Sequence, residues 1–347
     1  MMKLDDFRNI FRRTFDDTEK WQRWFFASVA TDADEVYLSA GRDGNAASAL
    51  LMQPYDFLYR ETIVPAAYIS CVATLPESRS QGLASRTLRD ALGDARRRGY
   101  ALCALIPAEE HLVSFYEKQN FASVFYQDFE RYTSVHKFQG EVGLSVEPSA
   151  AMLHRLEMRC GCGFLHSASD YDEIVADMNL DGESHVIAVA DAAGGEAMLF
   201  AVVARDEANV KCLLADSEML AQSALAELRR RVADKAVSVS RPPLSGDKAF
   251  LKSKGMARIT NPQPLLAALA ASDAHLRISI NLTDSLLAEN SGVYLIDGGR
   301  CSRSDQSVKA DLEVDVSTLA AILFSNHHMG ALFGIPSRRP YMALMLD

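Results

Sequence analysis

Apolar side chains at Trp21, Trp24, Phe25 and Val29 share one helical face, which predicts a helix over residues 18–30. Two short apolar runs follow, 36–38 and 46–52, separated by Gly41-Arg42-Asp43-Gly44-Asn45. That turn chemistry predicts a pair of strands. The strongest apolar run, 66–74, reads as a strand and is closed by Leu75-Pro76 and a polar loop. Leu88, Ala91, Leu92 and Ala95 then mark one face of a helix ending at Gly99. Residues 100–106 form the next expected strand, stopped by Pro107. Residues 109–119 return to helix, with Glu109 and Glu110 placed to suit its dipole, and 121–131 reads as a further strand or hairpin. Strand, crossover helix and strand predict a parallel pair at the centre of an otherwise antiparallel sheet.

After Gly140 the plan starts again. Helical patterns at 149–160 and 171–178 precede strands 185–191, 196–205 and 209–214, a helix at 219–232 and a short strand at 236–240. In this second copy Asp216-Ser217-Glu218-Met219 stands where the first has a polar glycine loop. Asn261-Pro262-Gln263-Pro264 reads as a linker. Beyond it, 277–282, 292–296, 310–316 and the apolar helix 318–324 suggest a third, small α+β unit. The charge-free run 316–337 is long enough to span a bilayer, yet Ser325, Asn326, His327, His328 and Gly330 interrupt it. It is read as a buried helix, a turn and the start of a strand.

The length, 347 residues, suits two or three domains. With 48% hydrophobic and 24% charged residues the chain is globular rather than disordered or collagen-like. The formal charge of −10 disfavours a nucleic-acid or anionic-membrane binder and suits a neutral or cationic small partner. The six cysteines, Cys71, Cys103, Cys160, Cys162, Cys212 and Cys301, are too scattered for a disulfide framework and are read as reduced. Residues 1–13 lack an apolar stretch fit for a signal peptide, so a cytoplasmic protein is expected.

The segment 68–121 carries the chemistry. Its strand Ile69-Ser70-Cys71-Val72-Ala73-Thr74 leads into Pro76-Glu77-Ser78-Arg79-Ser80-Gln81-Gly82-Leu83-Ala84 and then a helix. A glycine-containing loop of this kind offers backbone N–H groups at a helix N-terminus to an anion, with nothing large in the way. With the later Phe115-Tyr116-Glu117-Lys118-x-x-Phe121, the segment resembles the GCN5-related N-acetyltransferase (GNAT) family. The resemblance implies a mixed α/β (α+β) fold with a central mixed sheet, and acetyl-CoA as cosubstrate with no metal. It implies that Val72, Ala73 and Thr74 contact pantetheine and the acetyl carbonyl, and that Arg79, Ser80, Gln81, Gly82, Leu83 and Ala84 cradle the pyrophosphate. Tyr116 then acts as the acid that protonates the CoA thiolate, with Ser114 a nearby hydroxyl. Asn120 stands where the family has Gly, a position at which Asn tolerates left-handed backbone.

The order of three parts is similar to the enhanced intracellular survival (Eis) branch. That implies residues 1–140 as the catalytic GNAT domain, 141–260 as a degenerate GNAT-like domain and 261–347 as a sterol-carrier-like domain. It also implies that the C-terminal carboxylate, Asp347, is the base for the acceptor amine, and that the chain forms a homo-oligomer. The expected acceptor is a small-molecule amine or a lysine-containing peptide. The competing reading is a non-catalytic acyl-CoA or lipid-binding sensor. Weaker candidates remain. Cys160-Gly161-Cys162-Gly163, His154 and His166 lack a metal-site pattern. His327 and His328 are expected on opposite sides of a helix. Arg96-Arg97-Arg98 is a solvated face or a contact for the adenosine 3′-phosphate. Tyr55, Asp56 and Glu77 are candidate acceptor contacts by position alone, and Tyr126 and Tyr132 are read as packing residues.

Overall fold

The structure is a computed structural model. It describes residues 2–140, 143–180, 182–232, 234–242, 251–304, 309–325, 327–336 and 338–346. The elements run α1 (Met2–Thr14), α2 (Glu19–Ser28), β1 (Val36–Ala40), β2 (Ala46–Tyr59), β3 (Thr62–Thr74), α3 (Leu83–Arg97), β4 (Leu102–Leu105), α4 (Val113–Glu117) and β5 (Ala122–Tyr132). Then come β6 (Leu144–Val146), α5 (Ala150–Cys160), β7 (Cys162–Leu165), α6 (Ala168–Leu180), β8 (Glu183–Ala190), β9 (Glu196–Ala204), β10 (Glu207–Ala215), α7 (Glu218–Val232) and β11 (Ala236–Arg241). The chain closes with β12 (Leu251–Ile259), α8 (Pro262–Ser272), β13 (Ile278–Thr283), β14 (Gly292–Asp297), β15 (Arg300–Ser304), β16 (Leu312–Asp315), α9 (Val316–Phe324) and α10 (His328–Leu332).

Two compact units emerge. The first combines residues 1–125 with 254–339. Its main sheet runs β1-β2-β3-β4-β12, with β3 and β4 parallel and the other neighbours antiparallel. Leu88, Ala91, Leu92 and Ala95 of α3 are fully buried on Leu50, Met52, Ala67 and Ile69 of β2 and β3. The helical spacing of the apolar positions thus meets the two-residue period of the strands. A second sheet, β15-β14-β13-β16, belongs to the same unit. The second unit, 126–253 with 340–346, orders its strands β11-β10-β9-β8-β6 beside residues 128–132 of β5. Here α7 packs Leu220, Ala224, Leu225 and Leu228 on the sheet. Among the described residues no helix is long and apolar enough to cross a membrane.

Several expectations need correction. The charged N-terminus, for which no element was predicted, is helix α1, and Phe7, Ile10 and Phe11 are buried from it. Their rings lock onto α2, with Phe7 5.5 Å from Phe26 and Phe11 5.6 Å from Phe25. Asn261-Pro262-Gln263-Pro264 is the first turn of α8 rather than a linker: Asn261 Oδ1 accepts the N–H of Gln263, and Pro262 takes the first position, where a helix needs no N–H. After α9 the chain makes another short helix, α10, instead of starting a strand.

Candidate active site

The site grows from one register change. Along β3 the pairing with β4 lasts for three residues, Ala66, Ala67 and Tyr68 opposite Leu102, Cys103 and Ala104. Beyond Tyr68, β3 keeps β2 as its partner through Thr74 and leaves β4. The departure coincides with a bulge. Ala49 faces Ala73 and Leu51 faces Ser70, so Cys71 and Val72 together oppose Leu50. Cys71 takes φ 53°, a left-handed value that bends the strand. The result is a wedge between two parallel strands, with Val72, Ala73 and Thr74 on its free edge.

Beyond Thr74 come eight residues before α3. A 3-10 turn, Pro76–Ser78, opens the loop, and Ser80 (φ 60°) and Gly82 (φ 74°) reverse it. Gly82 is the N-cap of α3 and supplies no side-chain cap. The backbone N–H groups of Leu83, Ala84 and Ser85 accordingly meet no acceptor among the described residues. A helix left open in this way attracts an anion. A Cβ built at Gly82 would meet nothing within 4 Å, so the glycine serves its φ and the free approach rather than packing. Arg79 and Gln81 lie exposed, with Arg79 Nε 3.3 Å from Thr74 O and Gln81 Nε2 3.4 Å from Glu77 O. Glu77 pairs with Arg13 of α1 at 2.7 Å. A backbone hydrogen bond, then that guanidinium, hold its carboxyl below the usual range.

Tyr116 sits on α4, buried against β3 and packed between Phe115 (5.0 Å) and Phe121 (5.9 Å). Burial pushes its phenol up to about 12, so it carries its proton throughout the neutral range. Asn120 adopts φ 63°, the left-handed turn expected of it, and donates from Nδ2 to Ser285 Oγ at 3.1 Å. Ser114 is exposed and turns back to His111 O at 3.1 Å. The first unit therefore contains Tyr116, Ser114, Val72 to Thr74 and Arg79 to Ala84. Asp347 lies outside the described residues. One residue that motif reading passed over is Gln119. It is buried, its Nε2 is 3.4 Å from Ser85 Oγ in the first turn of α3, and its Oε1 has no partner among the described residues.

The other candidates take plain structural places. Tyr132 packs on His136 and Phe138. The rings of His327 and His328 stack at 4.5 Å, because His327 is the N-cap of α10 and lies outside the helix that would have separated them. Glu157 and His166 form a buried pair at 2.5 Å. Among the described residues, no group of three or more His, Cys, Asp or Glu is placed to hold a metal.

Residues 2–124 match the family model of the acetyltransferase (GNAT) domain, and residues 263–334 match that of the sterol carrier protein domain. None of the curated proteins matches the chain. Its fold is similar to that of solved structures at low identity. A GCN5-related N-acetyltransferase from Anabaena variabilis is 14% identical with TM-score 0.78, over 99% of this chain and 98% of that one. A GCN5-related N-acetyltransferase from Kribbella flavida is 18% identical with TM-score 0.73, over 100% and 96%. Eis1 from Mycobacterium abscessus is 13% identical with TM-score 0.67, over 91% and 89%. Open wedge, uncapped loop and family models lead to one assignment: this chain is an acyltransferase whose N-terminal domain belongs to the GNAT family and whose C-terminal region is a sterol carrier protein domain.

Proposed function

We propose that the protein transfers an acetyl group from acetyl-CoA directly to the primary amine of a small cationic acceptor or a lysine. The observation that carries the reading is the junction, within one unit, of the β3/β4 wedge, the uncapped N-terminus of α3 and the buried Tyr116. In this reading the pyrophosphate rests on the N–H groups of Gly82 to Ser85, with Arg79, Ser80 and Gln81 around it. The pantetheine arm runs along Val72 to Thr74, whose backbone is assigned to polarise the thioester oxygen. The neutral amine attacks the carbonyl carbon, the C–S bond breaks, the thiolate takes a proton through Tyr116, and the proton lost by the amine goes to the base and returns to the phenol by exchange through water once CoA leaves. A phenol held near 12 is a weak acid, so its main service is a hydrogen bond to the growing thiolate charge.

The C-terminal carboxylate of Asp347 is assigned as the base for the amine, and Ser114 as a nearby hydroxyl. We retain the division into 1–140, 141–260 and 261–347, a homo-oligomer and a cytoplasmic location as parts of the same proposal. Thiol release from acetyl-CoA is the test, measured over aminoglycosides, polyamines, amino acids and lysine peptides, with the wild type beside a chain extended past Asp347. Release that vanishes on extension supports both transfer and the terminal base. Release indifferent to extension keeps the transfer and removes Asp347. Binding of acetyl-CoA without release on any acceptor overturns the reading in favour of a sensor.

A further inference from the structure

Two polar oxygens in the first unit are buried without a partner beside the wedge. Gln53 is 8% exposed and Ser70 4%, and neither Gln53 Oε1 nor Ser70 Oγ has a hydrogen-bond partner among the described residues. Unpaired buried acceptors destabilise a fold and are rare, so two together call for an account. The strand register places them. Leu50 and Met52 of β2, and Ala67 and Ile69 of β3, face α3 and Tyr116. Their alternates face the other way: Gln53 opposite Tyr68, and Leu51 opposite Ser70. Gln53 and Ser70 are therefore diagonal neighbours on the sheet face turned away from Tyr116. Ser70 is also the last residue before the bulge and lies beyond the final β3/β4 pair at Tyr68.

We propose that Gln53 and Ser70 form the subsite that receives the nitrogen of an unhindered primary amine. The inference rests on the transferase reading given above. An amine is rich in N–H donors, and both oxygens accept. Two N–H bonds, to Gln53 Oε1 and Ser70 Oγ, leave the nitrogen lone pair directed at the thioester in the wedge. The nucleophile then enters from one face of the sheet while Tyr116 meets the leaving sulfur from the other. Neutral oxygens suit the task, because a carboxylate in their place would favour the unreactive ammonium form. The two residues orient the amine and exchange no proton with it, so they are positioning residues. Tertiary amines, which lack the N–H groups, are poor ligands for this subsite.

The test uses the full chain, with Ser70→Ala and Gln53→Met assayed on spermidine, kanamycin and an N-terminally blocked lysine tripeptide at saturating acetyl-CoA. We expect the KM for the amine to rise about tenfold in each variant, as for one lost hydrogen bond to a polar ligand. Acetyl-CoA affinity, measured by titration calorimetry, stays at the wild-type value. The melting temperature stays level or rises, because Ser70→Ala removes a hydroxyl that has no partner. Gln53→Glu keeps an acceptor but adds charge, so the acidic limb of kcat/KM moves to higher pH. An unchanged amine KM in both variants overturns the subsite, as does a loss of activity that follows a falling melting temperature. A wild type that releases no thiol with any probe overturns the subsite and the transferase reading together, which distinguishes the two failures.

Discussion

The chain builds the same strand, bulge and crossover twice, and only one copy stays open. In the first unit β3 parallels β4 for three pairs, bulges at Cys71 and Val72, and reaches α3 after eight residues. In the second, β10 parallels β11 for four pairs, from Glu207 opposite Ala236 to Val210 opposite Val239, and bulges at Lys211. It then reaches α7 after only Asp216 and Ser217. The helix start there is partly capped. Ser217 Oγ accepts the N–H of Leu220, and Glu218 puts a carboxylate where an anion would otherwise settle. Arg241 at the end of β11 donates to Glu218 at 2.8 Å and to Glu130 at 2.9 Å, which fastens the strand end to the helix start. Tyr341, Gly163 and Cys212 of β10 close around a cavity of about 10 Å³, room for one water at most. Parallel strands that separate make a wedge, but the loop after them decides whether it can take a pyrophosphate.

The largest expected effect is at Tyr116. Tyr116→Phe should lower kcat by roughly 10²–10⁴ while leaving the Kd for acetyl-CoA unchanged, since the phenol hydroxyl makes no hydrogen bond to the described protein. Unchanged turnover would remove it as the acid. Because burial holds the phenol near 12, the wild-type kcat/KM should show no loss from Tyr116 between pH 7 and 10.

Gly82→Ala is the next largest change. The new Cβ lands in open space but at φ 74°, so strain costs about 1 kcal/mol, while under the proposed function the methyl intrudes where the pyrophosphate is assigned. Acetyl-CoA should bind roughly tenfold more weakly, a larger loss than the stability change explains. Equal losses in the two would reduce Gly82 to a fold requirement.

In the second unit, Gly163→Ala would set a Cβ against Tyr341 O, on a strand contact that Tyr341 N and Cys162 O hold at 3.1 Å. The clash should cost about 1–3 kcal/mol in chemical denaturation and leave the acetyl-CoA Kd alone. The smallest effect concerns acid. Arg155, first through its hydrogen bond, holds Glu196 below its ordinary value of 4.5. Its folded pKa is depressed, so its stabilisation is complete above about pH 4.5 and fades as the pH falls through the lower folded value. Urea unfolding from pH 6 to 3 should show that decline in the wild type and a flatter curve in Arg155→Met.

The strand, loop and helix around the wedge were legible because they are written locally, while the parting of β3 from β4 was not. Val72-Ala73-Thr74, the Gly82 loop and Phe115-Tyr116 lie within 50 residues, and each depends on residue types that a strand, a helix start or a packed ring requires. The repeat of the plan after Gly140 was legible for the same reason. What escaped needed partners distant in sequence. Helix α1 looks like a charged tail until Phe7 and Phe11 meet Phe25 and Phe26 of α2. Strand β12 is polar at its start and finds its place through the pairing of Met256 to Ile259 with Leu105 to Leu102. Gln53 and Ser70 are ordinary in sequence, and only the strand register shows that they share a face. Arg258 and Asp284 form a fully buried pair at 2.6 Å across 26 residues, which no local pattern announces.

Under the proposed function, one of two similar wedges takes acetyl-CoA. Titration calorimetry of acetyl-CoA into the wild type and into Gly82→Ala tests it most directly. One site per chain, weakened about tenfold by Gly82→Ala and untouched by Glu218→Gln, is the predicted result. Two sites per chain, or a single site that follows Glu218 and ignores Gly82, would contradict it.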